Sequence, residues 1–184
     1  MSEQKIAYRF LFAGGGTGGH LYPAIAVAQS LNELEKSDIT FVGTRNKIEG
    51  RVIPELGYKF KSIWIIGLTR KLTFKNLLFP FKLLVSVIQS LWISFRFKPE
   101  VAIGTGAYVS GPALWGASIM GARLVLMEQN SYPGLTNRLL EKKAEKIFVS
   151  FKESKKYFRD PDKVENSGNP VRNSIKLHSR EHAL

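Results

Sequence analysis

The stretch FLFAGGGTGGHLYP, residues 10–23, decides the fold of this chain. Five of the six residues from Gly14 to Gly19 are glycine, an apolar run from Ile6 to Phe12 precedes them, and a helical pattern follows from His20. Glycine lets the backbone turn with positive φ and lets a ligand approach closely. The start of a helix adds free N–H groups and the positive end of its dipole. The order of strand, glycine loop and helix therefore predicts a site for an oxyanion or a diphosphate.

The residues after the last glycine separate this loop from a P-loop. A P-loop requires Lys and then Ser or Thr at this place, whereas His20 and Leu21 follow Gly19. A glycine loop needs no histidine in order to turn, so His20 is a candidate for a chemical role. The alternative is a histidine at the start of a helix with no function of its own.

A dinucleotide site is the second motif that competes for this loop. The glycines at 14, 16 and 19 satisfy G-x-G-x-x-G, but an NAD site also requires an acid at the end of the second strand. That predicted strand ends in Gly43, Thr44 and Arg45, and Asp38 lies before it, at the wrong end. We therefore expect no NAD site, and an NADP site through Arg45 stays as an alternative.

Composition limits the class of protein. A length of 184 residues with 44% hydrophobic content predicts one globular domain or slightly more. There is no cysteine, and the polar start MSEQK lacks the apolar region of a signal peptide, so we expect a cytoplasmic protein. The net charge of +12 calls for an anionic partner such as nucleic acid, anionic lipid or a phosphorylated substrate.

Strand and helix patterns alternate along the chain. This alternation predicts a parallel sheet with right-handed crossovers. The predicted strands lie at residues 6–12, 39–42, within 58–66, and at 101–104, 122–127, 146–150 and 164–169; the predicted helices lie at 21–34, 48–56 and 112–120, with another ending at 143.

Residues 56–99 contain no Asp or Glu but carry eight basic residues. The uncharged run Leu83–Phe95 has 13 residues and includes serines and a glutamine, so it is too short and too polar for a spanning helix, which needs ~20 mainly apolar residues. Either this segment is a core helix with a solvated basic rim, or it binds an anionic membrane surface. The candidate membrane-binding residues are Leu68, Arg70, Lys71, Leu72, Phe74, Lys75, Phe79, Lys82 and Trp92. We expect no nucleic-acid partner, because no known nucleic-acid-binding signature is present.

Three loops are predicted to meet at one edge of the sheet. Ligands of open α/β sheets bind outside the carboxyl ends of the strands. The glycine loop, a second glycine loop at residues 104–112 and the loop that begins at Glu128 all follow strands. Their chemistry-bearing residues are His20, Tyr108, Ser110, Glu128 and Asn130, although Glu128 could instead cap the next helix. The spacing H-x-x-E-H at residues 178–182 lies in the terminal tail, and we predict no metal site from it.

With these loops in view, the sequence resembles the N-terminal domain of the bacterial GT-B glycosyltransferases of family 28. The matching segments are Gly15–His20 followed by Pro23, residues 104–112, Glu128–Asn130 with residues 133–138, and residues 168–172. They occur in the family's order. Ala107 departs from the family, which usually has a second glycine there.

The resemblance implies a Rossmann-like α/β domain, a parallel sheet flanked by helices that forms the N-terminal, acceptor-binding half of a GT-B enzyme. It implies direct attack of the C4 hydroxyl of the muramyl sugar of lipid I on the anomeric carbon of UDP-GlcNAc, giving lipid II, at the cytoplasmic face of the inner membrane and with no cofactor. Residues 1–172 would form this domain, and 173–184 a tail or the start of a linker to a donor-binding domain that would hold most of the UDP-GlcNAc. His20, followed by Glu128, is the candidate base, since histidine ordinarily titrates near neutral pH. The candidate substrate-binding residues are Thr17, Gly18, Gly19, Tyr108, Ser110, Asn130, Asn137 and Arg172.

Overall fold

The computed structural model describes residues 8–67 and 78–171, and in these residues seven strands form one sheet. Their order across the sheet is β3-β2-β1-β4-β5-β6-β7, and every neighbouring pair is parallel. The predicted α/β class with a parallel sheet is therefore confirmed. The strands are β1 (Tyr8–Ala13), β2 (Ser37–Gly43), β3 (Lys59–Ser62), β4 (Val101–Gly104), β5 (Arg123–Glu128), β6 (Ala144–Val149) and β7 (Val164–Asn166).

Helices cover both faces of the sheet. Side chains alternate between the two faces of a strand, so Leu11 and Ala13 of β1 enter one buried cluster and Phe12 enters the other. Both faces are apolar, as expected of a parallel sheet that helices cover on each side. The described helices are α1 (Gly18–Leu34), α2 (Ile48–Glu55), α3 (Phe79–Phe97), α4 (Ala107–Ile119) and α5 (Leu135–Leu140), with 3-10 turns at Lys152–Tyr157 and Pro161–Lys163.

Two helices next to the predicted site begin earlier than the sequence suggested. Helix α1 begins at Gly18 rather than Leu21, so the last two glycines of the loop form its first turn. Helix α4 begins at Ala107, and Pro112 lies inside it instead of near its first position. The cause is a sharp turn directly after β4, in which Gly106 has φ +88° and Ala107 has φ +64°.

Helix α3 packs on α4 through its small polar residues. Ser86, Ser90 and Ser94 are fully buried, at the four-residue spacing that places side chains on one face of a helix. A Cβ atom at Gly116 of α4 would lie only 3.0 Å from the backbone of α3 at Leu91, so the two helices approach closely at this point. The three serines therefore lie on the buried face of α3.

Candidate functional site

Strands β1, β4 and β5 are neighbours in the sheet, so the loops that follow them share one edge. The loop at residues 14–17 follows β1, Thr105 and Gly106 follow β4, and residues 129–134 follow β5. This is the position at which open α/β sheets bind ligands. The predicted meeting of the three loops is confirmed.

The first half of the glycine run packs against the protein itself. A side chain at Gly14 would overlap with Thr105 of the β4 loop, and one at Gly15 would overlap with the carboxylate of Glu49. Gly16 has φ +78°, a conformation that favours glycine. The absence of side chains at these positions therefore lets the loop approach its neighbours closely.

The second half of the run is more exposed than the first. The N–H groups of Gly18 and Gly19 belong to the first turn of α1, where backbone donors have no partner within the helix. Thr17 occupies the N-cap position, and its side chain makes no capping hydrogen bond. These glycines line a pocket of ≈ 290 Å³ together with Tyr22, Pro23 and residues 169–171. The two glycines predicted to bind a diphosphate thus line a pocket.

His20 follows these donors on α1 and is held through one ring nitrogen. Its Nδ1 lies 2.8 Å from the carbonyl oxygen of Thr105 and 3.2 Å from Oε1 of Gln129. Both atoms are acceptors, so Nδ1 must carry a hydrogen. In the neutral ring the lone pair is then on Nε2, which makes no hydrogen bond with any of the described residues. A Cβ atom at Gly106 would lie 3.2 Å from the ring, so the β4 loop also fixes its position.

Glu128 is buried, and both of its carboxylate oxygens are occupied. Oε1 accepts from the backbone N–H of Asn130 at 3.0 Å and from its side-chain amide at 2.8 Å. Oε2 accepts from the N–H of Gly134 and from the amide of Asn137, both at 2.9 Å. With 2% of its surface exposed, Glu128 orders the loop after β5, and this geometry favours His20 over Glu128 as the base.

Two of the predicted substrate-binding residues are buried within the loops. The hydroxyl of Ser110 contacts the carbonyl oxygens of Ala13 and Gly106 and so links β1 to the start of α4. The amide of Asn137 also donates to the carbonyl of Met127 at 3.0 Å. Its buried Oδ1 has no hydrogen-bond partner among the described residues.

The other two described candidates reach the surface. Asn130 is exposed, and its carbonyl accepts from Ser154 at 2.9 Å. The half-buried ring of Tyr108 lies beside the first glycine loop, where a Cβ atom at Gly16 would be 3.8 Å from it. A Cβ atom at Gly67 would lie 3.0 Å from the same ring. The ring thus bridges the glycine loop and the segment after β3.

Sequence reasoning missed two residues of this region. Gln129 lies between two residues of a recognised segment, yet only the structure shows its contact with His20. Glu49, 1% exposed, accepts from Gly16 N–H at 2.8 Å and from the N–H and hydroxyl of Thr44, both at 2.9 Å. Its sequence signal is an acid in the first turn of α2, whereas the acid of a dinucleotide site lies at the end of β2.

A second surface lies on α3, opposite its buried serines. Its large apolar side chains face outward, with Leu84 and Ile88 each 58% exposed and Trp92 61% exposed. Two basic side chains lie over tryptophan rings beside them: Lys82 is 4.9 Å from the centre of the Trp64 ring, and Arg96 is 5.9 Å from that of Trp92. The described residues therefore leave this face of α3 uncovered while its serine face is buried, and membrane binding by the exposed face stays a prediction.

Phe79 at the start of α3 is half-buried. No helix in residues 8–67 and 78–171 is both long and apolar enough to span a membrane. The remaining predicted residues lie outside the described part of the chain, namely Leu68, Arg70, Lys71, Leu72, Phe74, Lys75 and Arg172, as does the H-x-x-E-H segment.

Comparison with solved structures gives the class of protein. The crystal structure of Acinetobacter baumannii MurG superposes with a TM-score of 0.73 and 26% sequence identity, over 92% of this chain and 47% of that one. The parallel sheet flanked by helices is the fold of the N-terminal half of a GT-B glycosyltransferase.

Residues 10–149 match the glycosyltransferase family 28 N-terminal domain, and the chain belongs to this family. It is 49% identical over 169 residues to the UDP-N-acetylglucosamine–N-acetylmuramyl-(pentapeptide) pyrophosphoryl-undecaprenol N-acetylglucosamine transferase of Flavobacterium psychrophilum, a match that covers 91% of this chain and 46% of that protein. The enzyme of the same name from a Thermoanaerobacter species is 43% identical, over 96% and 49% respectively. The chain thus spans about half the length of the relatives it matches.

Proposed function

We propose that this chain is the acceptor-binding half of a transferase that moves N-acetylglucosamine from its UDP derivative to lipid I, the undecaprenyl-diphosphate-linked muramyl pentapeptide, to form lipid II. The names of its relatives state this donor and acceptor. The observation that carries the proposal is the hydrogen bond of His20 Nδ1 to the carbonyl oxygen of Thr105, which leaves Nε2 available as a base. His20 directly follows Gly18 and Gly19, whose N–H groups have no partner within the helix. A base and a diphosphate site in one turn of helix suit an acceptor whose reacting sugar is attached to a diphosphate.

The mechanism assigns one proton transfer to this chain. The N–H groups of Gly18 and Gly19, with the hydroxyl of Thr17, bind the acceptor diphosphate at the positive end of α1. Nε2 of His20 then removes the proton of the C4 hydroxyl as its oxygen attacks the anomeric carbon of the donor sugar. The bond to UDP breaks as the new bond forms, which inverts the anomeric centre.

The remaining site residues would orient the acceptor. Exposed Asn130, in the loop after β5, and the ring of Tyr108, in the first turn of α4, would contact the sugar or the peptide, as would Arg172. The buried hydroxyl of Ser110 and the amide of Asn137 support such contacts by fixing these loops. Residues 1–172 would constitute this acceptor domain, and residues 173–184 would lead towards a domain that binds most of the UDP-sugar.

The outward face of α3 supports a location at a membrane surface. We infer that Leu84, Ile88 and Trp92 enter the interface of an anionic membrane, with Lys82 and Arg96 beside the lipid headgroups. A polyprenyl-linked acceptor is itself anchored in a membrane, so an enzyme held there meets it directly. For this acceptor we assign the chain to the cytoplasmic face of the inner membrane, as a peripheral protein.

The structure gives less support to two other functions. A lipid-binding or partner module without catalysis would use the exposed face of α3. Such a module would not require the hydrogen bonds that fix the tautomer of His20. An NADP-dependent oxidoreductase would place a diphosphate near Gly16, yet the N–H of that residue already donates to the Glu49 carboxylate. The position of Glu49 therefore counts against a dinucleotide.

Binding of lipid I in detergent micelles tests the proposal. Gly19→Ala would place a methyl group in the pocket, with Thr17 Oγ1 at 3.9 Å as its only near neighbour. We expect at least about tenfold weaker binding, because the methyl group would hold the diphosphate away from the N–H donors and a hydrogen bond to a charged group contributes ~1.5–3 kcal/mol. Gly111→Ala, a substitution inside α4 with its nearest contact at 3.7 Å, is the matched control and should bind as wild type does. Equal affinity of both variants would refute the diphosphate site.

A further inference from the structure

A buried carboxylate that the proposed reaction does not use lies against the first glycine loop. All three hydrogen-bond partners of Glu49 are donors: the N–H of Gly16 and the N–H and hydroxyl of Thr44. Among the described residues no Lys, Arg or His forms an ion pair with it. Since a carboxylate only accepts hydrogen bonds, these donors form an anion-binding nest that is already filled by the protein's own side chain.

The surrounding backbone is shaped for this carboxylate. A Cβ atom at Gly15 would overlap with its carboxyl group, and one at Gly43 would overlap with its Cγ. Glu49 also lies in the first turn of α2, whose dipole favours a negative charge. The loop after β1 and the end of β2 thus lack side chains where Glu49 enters between them, and its carboxylate links Gly16 of that loop to Thr44 after β2.

We propose that Glu49 is a positioning residue that fills the anion site at Gly16 and so confines the diphosphate of the ligand to Gly18 and Gly19. This inference rests on the proposed function, which places a diphosphate at this loop. The N–H of Gly16 is not available to a ligand, and a second anion there would be repelled by the carboxylate more strongly than in water. Anion binding by the glycine run is thereby limited to the first turn of α1, which also carries His20.

Nuclear magnetic resonance of the ¹⁵N-labelled chain, titrated with inorganic pyrophosphate, tests this division of the loop. In the wild type the amide resonances of Gly18 and Gly19 should shift while that of Gly16 stays in place. In Glu49→Gln the carboxylate is gone and the amide of Gly16 should respond as well. Glu165→Gln removes the same charge from an exposed position of β7 and should keep the wild-type pattern.

Each result of the titration decides something. A wild-type Gly16 that responds to pyrophosphate, or a Gly16 that stays silent in Glu49→Gln, overturns the role of Glu49 and leaves the proposed function standing. A wild type in which Gly18 and Gly19 do not respond overturns the proposed diphosphate site and, with it, this inference. The wild-type measurement needs no variant and so does not depend on how well Glu49→Gln folds.

Rescue by a small anion gives an independent readout. Glu49→Ala leaves three donors facing a space that formate can occupy. Formate should therefore raise the Tm of this variant, because a ligand that binds only the folded state stabilises it. Wild type and Glu165→Ala should show no such rise in Tm. Equal behaviour of all three proteins would show that the nest binds no anion and would overturn the proposal.

Discussion

His20 is expected to act on the rate rather than on the binding of the acceptor. Its ring is held by Thr105 and Gln129, and its free Nε2 has no part in the contacts proposed for the diphosphate. In an enzyme completed by a donor-binding domain, His20→Ala should lower kcat by ~10²–10⁴-fold, the usual cost of losing a general base. Acceptor affinity should change little.

Steady-state kinetics with the acceptor varied separates these two effects. Thr17→Ala is the companion variant, because it removes a hydroxyl assigned to binding and should mainly raise the KM for the acceptor. An unchanged kcat in His20→Ala would remove this residue from the mechanism. The role would then have to pass to Glu128 despite its four hydrogen bonds.

Ala107 should limit the stability of the domain. Its φ of +64° lies in the left-handed region, which costs a residue with a Cβ atom ~1–2 kcal/mol. Glycine avoids this cost but loses more chain entropy, by ~0.5–1 kcal/mol. Ala107→Gly should therefore raise the free energy of unfolding in urea by up to ~1 kcal/mol, whereas β-branched Ala107→Val should lower it. A less stable glycine variant would contradict this account.

The individual site residues differ in how well the sequence could reveal them. His20 stood out in the sequence as a titratable side chain directly after a glycine loop, and its role as the base stays a prediction. Glu128 looked similar at the end of a strand, but its saturation by Asn130, Gly134 and Asn137 depends on how the chain returns over β5. Contacts between residues far apart in the sequence, such as that of Glu49 with Gly16, leave no local sequence pattern and can be found only once the fold is known.

At the scale of elements, α3 should carry the membrane affinity of the described chain. Ile88 and Trp92 lie on its outward face, and burial of apolar area contributes ~25 cal/mol per Å². Ile88→Ser with Trp92→Ser should therefore reduce binding to anionic vesicles at every salt concentration. The control pair is Leu34→Ser with Leu139→Ser, which are 77% and 72% exposed but lie on α1 and α5.

The basic residues around α3 should give the part of binding that salt removes. Lys61 and Arg96 lie beside Trp92, and each cation near an anionic surface contributes about 1 kcal/mol, screened within a Debye length. Replacing both by Glu should weaken binding at low salt more than at high salt. Co-sedimentation across a salt series measures this, with circular dichroism as the folding control. A folded wild type that ignores anionic vesicles at low salt would end the membrane interpretation.

The sequence of α3 predicted a helix but not which side faces the protein. The serines at 86, 90 and 94 recur at a four-residue spacing, which places them on one face of a helix but does not say what covers that face. In the structure they are buried against α4, where Gly116 lets the two helices approach closely, which small side chains permit and large ones do not. Orientation therefore depended on a partner helix that the local pattern does not include.

At the scale of the whole molecule, the sheet was the most predictable feature. Alternating strands and helices with short connections allow few arrangements, and right-handed crossovers reduce these further. The chain adds β2 and β3 on one side of β1 and β4 to β7 on the other. The loops after β1 and β4 therefore diverge, and the crevice between them lies at the glycine loop. Element ends were less predictable, since the early start of α4 depends on positive φ values at Gly106 and Ala107.

The 184 residues on their own should bind the acceptor without transferring sugar to it. The chain spans about half the length of its relatives, and the proposed mechanism requires a donor held opposite His20 by a second domain. Without that domain, UDP-GlcNAc loses the positioning that makes attack effectively unimolecular, a contribution of ~7–11 kcal/mol in well-oriented reactions. Incubation of the chain with lipid I and radiolabelled UDP-GlcNAc should therefore give no lipid II, while addition of a donor-binding half from a family 28 enzyme should restore some product if the halves associate. The His20→Ala chain with the same added half is the control and should stay inactive. Lipid II formed by the 184 residues alone would show that this half contains a complete donor site, and the assignment of donor binding to a second domain would be wrong.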